Sequence, residues 1–161
     1  MDTLLKNRTK AFIVDYLTMG VIGILIFGIF NDLIISILII YPLAMNKDFL
    51  NGKSLGKRIF NIQVQDLNNN IANEWKSSLR NLLFVIPFEV FFTLISPNRR
   101  IGDYLAGTKI EIDSKFKLST INSELKNYRI NRNLIFGLAF GIGNIYSLLW
   151  VIEMIFRMAL N

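Results

Sequence analysis

Cysteine and histidine are both absent from the 161 residues. Without thiols there are no disulfides, no thiolate metal sites and no cysteine nucleophile. Without imidazole there is no histidine acid–base chemistry and no histidine-ligated metal. Charged residues are sparse, at 19%, and there are three prolines. A chain that is also 52% hydrophobic has too little charge and too much apolar surface to be disordered. No nucleophile–base pair, phosphate-cradling loop or metal-ligand cluster can be read, so the expectation is no enzyme, no cofactor and no metal. Proton or cation chemistry falls to carboxylates, Lys, Arg, Tyr and backbone groups.

What is present is long apolar blocks. Mean hydropathy is +0.41, and the length suits one domain or one membrane unit. The first block, Ala11–Phe30, holds one charge, Asp15, and follows Lys6, Arg8 and Lys10. Its helix would reach about 30 Å, the hydrocarbon thickness of a bilayer. It lacks the small-residue cleavage site of a signal peptide, so an uncleaved span is expected. The second block, Leu33–Met45, is short, and spans only if extended from Asn31 to Lys47 with Lys47 snorkelling. Asn31-Asp32 between the two blocks marks the tip of a helical hairpin. The third, Asn81–Ser96, has Pro87 near its middle and Glu89 beside it. The fourth, Leu134–Phe156, has one charge, Glu153, read as snorkelling near the helix end. Its Gly137 and Gly141 have the G-x-x-x-G spacing that permits close helix contact.

The polar stretches are basic. Net charge is +6, but no zinc or RNP-like pattern accompanies it, so nucleic acid is not the expected partner. Residues 46–80 carry six Lys/Arg and residues 97–133 carry eight. The positive-inside rule places both in the cytoplasm. Within them Ile62 and Val64, and Ile110 and Ile112, alternate with polar residues, the pattern of two short strands. Lone strands are unstable in water, so these two are expected to pair, which again requires a shared side. The third block is therefore expected not to cross simply but to re-enter or lie at the interface, bent at Pro87. Residues 114–133 are polar, with Leu118, Ile121, Leu125 and Tyr128 at helical spacing. They read either as an amphipathic interfacial helix or as a solvated linker.

The fold expected is an all-α membrane protein: a small bundle of three to four hydrophobic segments with a short cytoplasmic two-stranded β element. It divides into a membrane domain (1–113), a linker (114–133) and an additional C-terminal transmembrane helix (134–161). Ionisable groups within apolar segments are costly, usually paired and often functional. Asp15 is the foremost. Arg8 lies seven residues earlier on the same helix face, too far for direct contact, but both can face one polar site. Asp103, in a Gly-Asp-Tyr turn beside Arg99 and Arg100, can approach it from the loop. Glu89 gains interest from the adjacent proline. Each charge can equally serve as a lock between a loop and a helix end, and Lys57, Arg58, Arg99 and Arg100 are candidates for anionic-lipid contact.

Arg8-Thr9-Lys10-Ala11-Phe12-Ile13-Val14-Asp15 resembles the R-x-x-A-x-x-x-D opening of the RDD family of membrane proteins. Gly52–Val64, with Gly56-Lys57-Arg58, is similar to that family's glycine-lysine segment and following strand. Arg100–Thr108 (RIGDYLAGT) resembles its closing D-x-x-A-G-T block. The three motifs span Arg8–Asp113. The resemblance implies that Arg8, Asp15 and Asp103 are the arginine and two aspartates of the family's name. It also implies a transport role, with monovalent-cation/proton exchange proposed for some members. Gly102 stands where members often carry His.

Two functions follow as expectations. The first is a transport-related role in which Asp15, with Asp103 or Glu89, binds a monovalent cation or proton in a site balanced by Arg8. Three or four helices rarely enclose a pathway, so a homo-oligomer or larger membrane complex is expected. The second is a non-transporting adaptor or assembly factor whose basic face binds anionic lipid or a partner protein. The expected location is a bacterial inner (cytoplasmic) membrane, with the N-terminus in the cytoplasm.

Overall fold

A computed structural model describes residues 3–82, 96, 98–113 and 119–160. Among these, seven helices and two strands follow in the order α1 (Thr3–Phe30), α2 (Leu33–Met45), α3 (Leu55–Ile59), β1 (Ile62–Asp66), α4 (Glu74–Arg80), α5 (Ile101–Ala106), β2 (Thr108–Ile112), α6 (Ser119–Asn127) and α7 (Arg132–Leu160). Pro87, Glu89 and most of the third apolar block lie outside the described residues, as does Leu118.

The hairpin tip forms where the apolar run is interrupted. Asn31 takes a left-handed φ of 48°, which its short polar side chain tolerates. Asp32 then caps α2, accepting from the Ile35 amide at 2.9 Å. Inside α1 the hydroxyls of Thr9 and Thr18 donate back to the carbonyls of Leu5 and Val14, so neither needs water. α2 ends at Met45, two residues before the Lys47 limit that spanning required, and residues 46–50 turn.

Two helices, Thr3–Phe30 and Arg132–Ala159, are long and apolar enough to cross a membrane, whereas Leu33–Met45 is shorter. Their apolar faces are open: Ile24 is 73% exposed, Ile29 76% and Trp150 63%. Open apolar area on this scale marks a surface meant for lipid or another protein.

The strands pair antiparallel, Ile62 opposite Ile112 and Asp66 opposite Thr108. Ile62, Val64 and Ile110 are buried, and Ile62 and Ile110 pack with Leu4 and Ala11 of α1. Alternation holds for these three, because the sheet has one face to hide and α1 to hide it against, but Ile112 at the strand end is exposed and Gln63 is buried, its amide donating to the Asn51 carbonyl at 3.0 Å. Residues 46–82 and 98–113 consequently share one side and form a polar cap over one end of the bundle. α6 joins this cap: Glu124 pairs with Arg58 at 2.7 Å, and Tyr128, just beyond α6, donates to Glu74 at 3.1 Å. This charged face of α6 is therefore held by protein.

A second apolar core unites α2 and α7 through Tyr41, Met45 and Ile145, each contributing about 1.5–3 kcal/mol by burial. The Tyr41 hydroxyl donates to Asn144 at 2.6 Å. The glycine stripe makes this contact close. A Cβ on Gly141 would lie 3.0 Å from Pro42 Cα, and one on Gly137 would collide with Ser78 and Asn46. Gly143 meets nothing within 4 Å. Gly137→Val is therefore expected to destabilise by roughly 1–3 kcal/mol through overpacking, while Gly143→Ala is silent. Thermal unfolding in detergent checks both.

Candidate functional site

α1 carries Arg8 and Asp15 on its buried face, together with Leu4 and Ala11. The cap supplies what they meet. Gly56 lets α3 approach, since a Cβ there would overlap the Ala11 carbonyl and sit 2.8 Å from Asp15 Oδ1. Ser54 caps α3 and also donates its hydroxyl to Asp15 Oδ2 at 2.6 Å, while the Gly56 amide donates to Oδ1 at 2.8 Å. Lys47 and Lys57 stand 3.4 and 3.6 Å from Asp15 Oδ2.

From there an alternating chain of charges runs through the cap. Lys57 pairs with Asp48 at 2.6 Å. Asp48 pairs with Arg80 at 3.2 Å. The Arg80 Nε pairs with Asp103 at 2.8 Å, and Asp103 closes the chain on Arg8 at 2.7 Å. Asp48, Arg80 and Asp103 are fully buried. Asp103 accepts two further hydrogen bonds, from the Arg100 amide at 2.9 Å and the Thr108 hydroxyl at 3.1 Å. Asn81 donates to Asp48 at 3.2 Å and accepts from Arg100 at 2.6 Å. Both oxygens of all three aspartates are therefore engaged.

The sequence-expected residues come together unevenly. Arg8 and Asp103 touch, while Asp15 sits two helical turns away and joins them through Lys57, Asp48 and Arg80. Asp48, Arg80 and Asn81 were not singled out from the sequence as site residues, and Lys47 was expected only to snorkel. Their one visible signal is that each lies at or near the edge of an apolar block. Lys47 does not snorkel: its side chain is 3% exposed, turned inward over the Tyr16 ring at 5.8 Å. Lys57, Arg58 and Arg100, candidates for lipid contact, are buried and directed at protein partners. Arg99 stacks on Tyr104, 4.0 Å from the ring centre. Glu89 lies outside the described residues. Among the described residues no group of acids could hold a metal ion.

A cavity of about 40 Å³ lies beside the chain of charges, between α1, α3 and the sheet. At roughly 10–15 Å³ per water centre it has room for a few waters. Arg8, Lys47, Lys57, Arg80, Arg100 and Asp15 line it.

Burial and neighbouring charge compete at these groups. Burial pushes the Asp48 carboxyl up, but Lys57, Arg80 and Lys47 outweigh it and hold it well below the carboxylate range. Asp103 is likewise raised by burial and held low by Arg80, Arg100 and Arg8. Lys47 goes the other way. Burial, then repulsion from Lys57, brings its ammonium down from 10.5 to about 7, against the pull of Asp15 and Asp48.

Breaking a buried pair strands its partner, at a cost of roughly 3–5 kcal/mol. Asp103→Asn is expected to lose that much, leaving Arg80 and Arg8 without their shared counter-charge; chemical denaturation in micelles reads it. The pH dependence has two limbs. Asp48 and Asp103 contribute stability that is present above the ordinary carboxylate range and lost as pH falls below it. Lys47 binds fewer protons folded than unfolded between about 7 and 10.5, so stability rises with pH across that window. Lys47→Met should flatten this second limb and leave the acid limb in place, as followed by Tm against pH.

Residues 3–158 match the family model described as RDD family. No curated protein and no solved structure gives a significant match. The match runs well past Asp113, where the recognisable motifs stop, and takes in most of α7. With nearly its whole length matched, and with its arginine and two aspartates tied into one buried network, the chain belongs to the RDD family.

Proposed function

We propose that the chain is an integral membrane protein with a transport-related role, and that monovalent-cation/proton exchange is the activity to which its site is suited. The observation that carries this reading is the buried Lys47–Asp15 pair, 3.4 Å apart beside a water-sized cavity at one end of the apolar helices. Placing the basic cap on the cytoplasmic face satisfies the positive-inside rule for both cap segments. The exposed faces of α1 and α7 then meet lipid, and a second copy completes the pathway.

In this reading Lys47, rather than Asp15, carries the proton. Lys47 is faced by Asp15, Asp48, Lys57, Arg100 and the Tyr16 ring. While charged, its ammonium neutralises Asp15. When it releases its proton, Asp15 loses a partner and a monovalent cation takes the ammonium's place. One proton leaves as one cation enters, so the charge of the site is unchanged.

A second reading is favoured by the saturation of every aspartate oxygen: the network is a closed lock, and the protein is an adaptor or assembly factor. Cation-driven pH change in everted vesicles separates the two. Exchange predicts that Lys47→Met abolishes the pH change at normal protein abundance. If Asp15→Asn lowers abundance while flux per molecule is unaltered, the exchange mechanism is wrong and the lock stands.

A further inference from the structure

The two long helices set a depth scale for the cap. In α1 the apolar run begins at Ala11, directly after the exposed Lys10, and ends at Phe30 before the Asn31-Asp32 tip. In α7 it begins at Leu134, after Arg132-Asn133, and reaches Ile152 before Glu153. Rising roughly 1.5 Å per residue, each band comes close to the hydrocarbon thickness of a bilayer. The ion pair of Lys47 with Asp15, at 3.4 Å, then fixes where the cap stands. Asp15 is four residues beyond Ala11, about 6 Å inside the α1 band at that rise. Gly137 is three residues beyond Leu134, about 4.5 Å inside the α7 band, and it is packed on Asn46, the neighbour of Lys47. Two helices therefore place the same turn of chain at the same depth, inside the apolar band rather than beyond it.

Helix α3 stands at this depth too. A Cβ on Gly56 would overlap the Ala11 carbonyl and sit 2.8 Å from Asp15 Oδ1, so α3 lies across the first apolar turn of α1. It has two faces. Gly56, Lys57 and Arg58 are buried against protein, whereas Leu55 and Ile59, four residues apart and so on one face, are 43% and 46% exposed. Ile13 and Leu17 of α1 are open over the same stretch. About a turn lower, at the level set by the 2.7 Å contact of Asp103 with Arg8, Tyr104 is exposed with Arg99 stacked on it. Lys6 and Lys10 are exposed there on α1, and the Lys10 ammonium lies over the Phe60 ring that follows α3. An aromatic ring and cations just outside an apolar band suit lipid headgroups.

We propose that the cap is sunk into the membrane, with α3 lying in the headgroup–acyl boundary and Leu55 and Ile59 in contact with lipid acyl chains. The placement rests on α1 and α7 crossing a bilayer and adds a depth to that reading. α3 then forms part of the wall between the charges of the cap and the lipid. The contact is with the acyl chains, so it needs no anionic lipid.

The chain has no native cysteine, which makes single labels clean. Leu55→Cys, Ile59→Cys, Asn68→Cys and Ile24→Cys are made one at a time in the full chain, spin-labelled and reconstituted in phosphatidylcholine vesicles. Collision of each label with dissolved oxygen, which concentrates in hydrocarbon, is compared with its collision with a water-soluble nickel chelate. Labels replacing Leu55 and Ile59 are expected to favour oxygen, at a depth of about 5–10 Å, with the Asn68 label open to the chelate and the Ile24 label deepest. If the chelate reaches the Leu55 and Ile59 labels as freely as the Asn68 label while the Ile24 label is sheltered, the cap stands in water. The proposal is then overturned and α1 remains a span. If the Ile24 label is also open to the chelate, α1 does not cross and both readings fall. Sheltering of the Leu55 and Ile59 labels from both reagents, with spin–spin broadening between copies, would put a second copy over α3 and overturn the proposal as well.

Discussion

Charges can be buried in this chain only because they alternate. Arg8, Asp103, Arg80, Asp48, Lys57 and Asp15 form one sequence of opposite signs in contact, with Lys47 at its end. Each member touches at least one group of the other sign, so no isolated charge is withdrawn from water. The rest of the polar cap is arranged around that requirement. The short helices α3, α4 and α5 each deliver one or two side chains to the network. The two-stranded sheet closes over it and provides the apolar floor on which α1 rests. Such a network stabilises weakly in net terms, because desolvation offsets much of the attraction. What it gives is specificity: other registers of α1 against α3 would strand a charge.

The long elements were legible in the sequence because their signals are local. An apolar run of about 20 residues, an Asn-Asp break and a period-two alternation each report on their own neighbourhood. Pairing of β1 with β2 was legible for a different reason. It followed from charge bias and from the instability of lone strands, two constraints that agreed. Of the network, Arg8, Asp15 and Asp103 were visible as charges set in apolar or motif surroundings. Asp48, Arg80 and Lys47 were not, because in sequence they look like ordinary solvated residues flanking an apolar block. Their burial depends on the cap folding back over the helix ends, and no local pattern encodes that. Lys47 is the instructive case. The snorkelling expected of a lysine at a helix end assumes that water lies beyond the helix. Here the next layer is protein.

The glycines also divide along this line. Gly137 and Gly141 share the spacing of a packing motif, and both are used for close approach. Gly56 has no such periodic signal, yet its missing Cβ sets the distance between α1 and α3 and so the geometry at Asp15. A glycine inside a motif whose purpose looks chemical can be there for a steric reason. The chemistry of Asp15 then depends on the steric fit.

The order of the charges along the chain differs from their order in space. Asp15 meets Ser54 and Gly56 after about forty residues of further synthesis. Arg8 must wait for Asp103, 95 positions away. At roughly 5–20 residues per second that is about 5–20 s on the ribosome. During that interval the first helix carries a guanidinium whose Asp103 partner does not yet exist. A chain interrupted before residue 103 would keep Arg8 and Arg80 without the carboxylate they share. The pairing of the first helix with Asp103 therefore acts as a check of completeness: the chain of opposite charges can close only once that aspartate has been made.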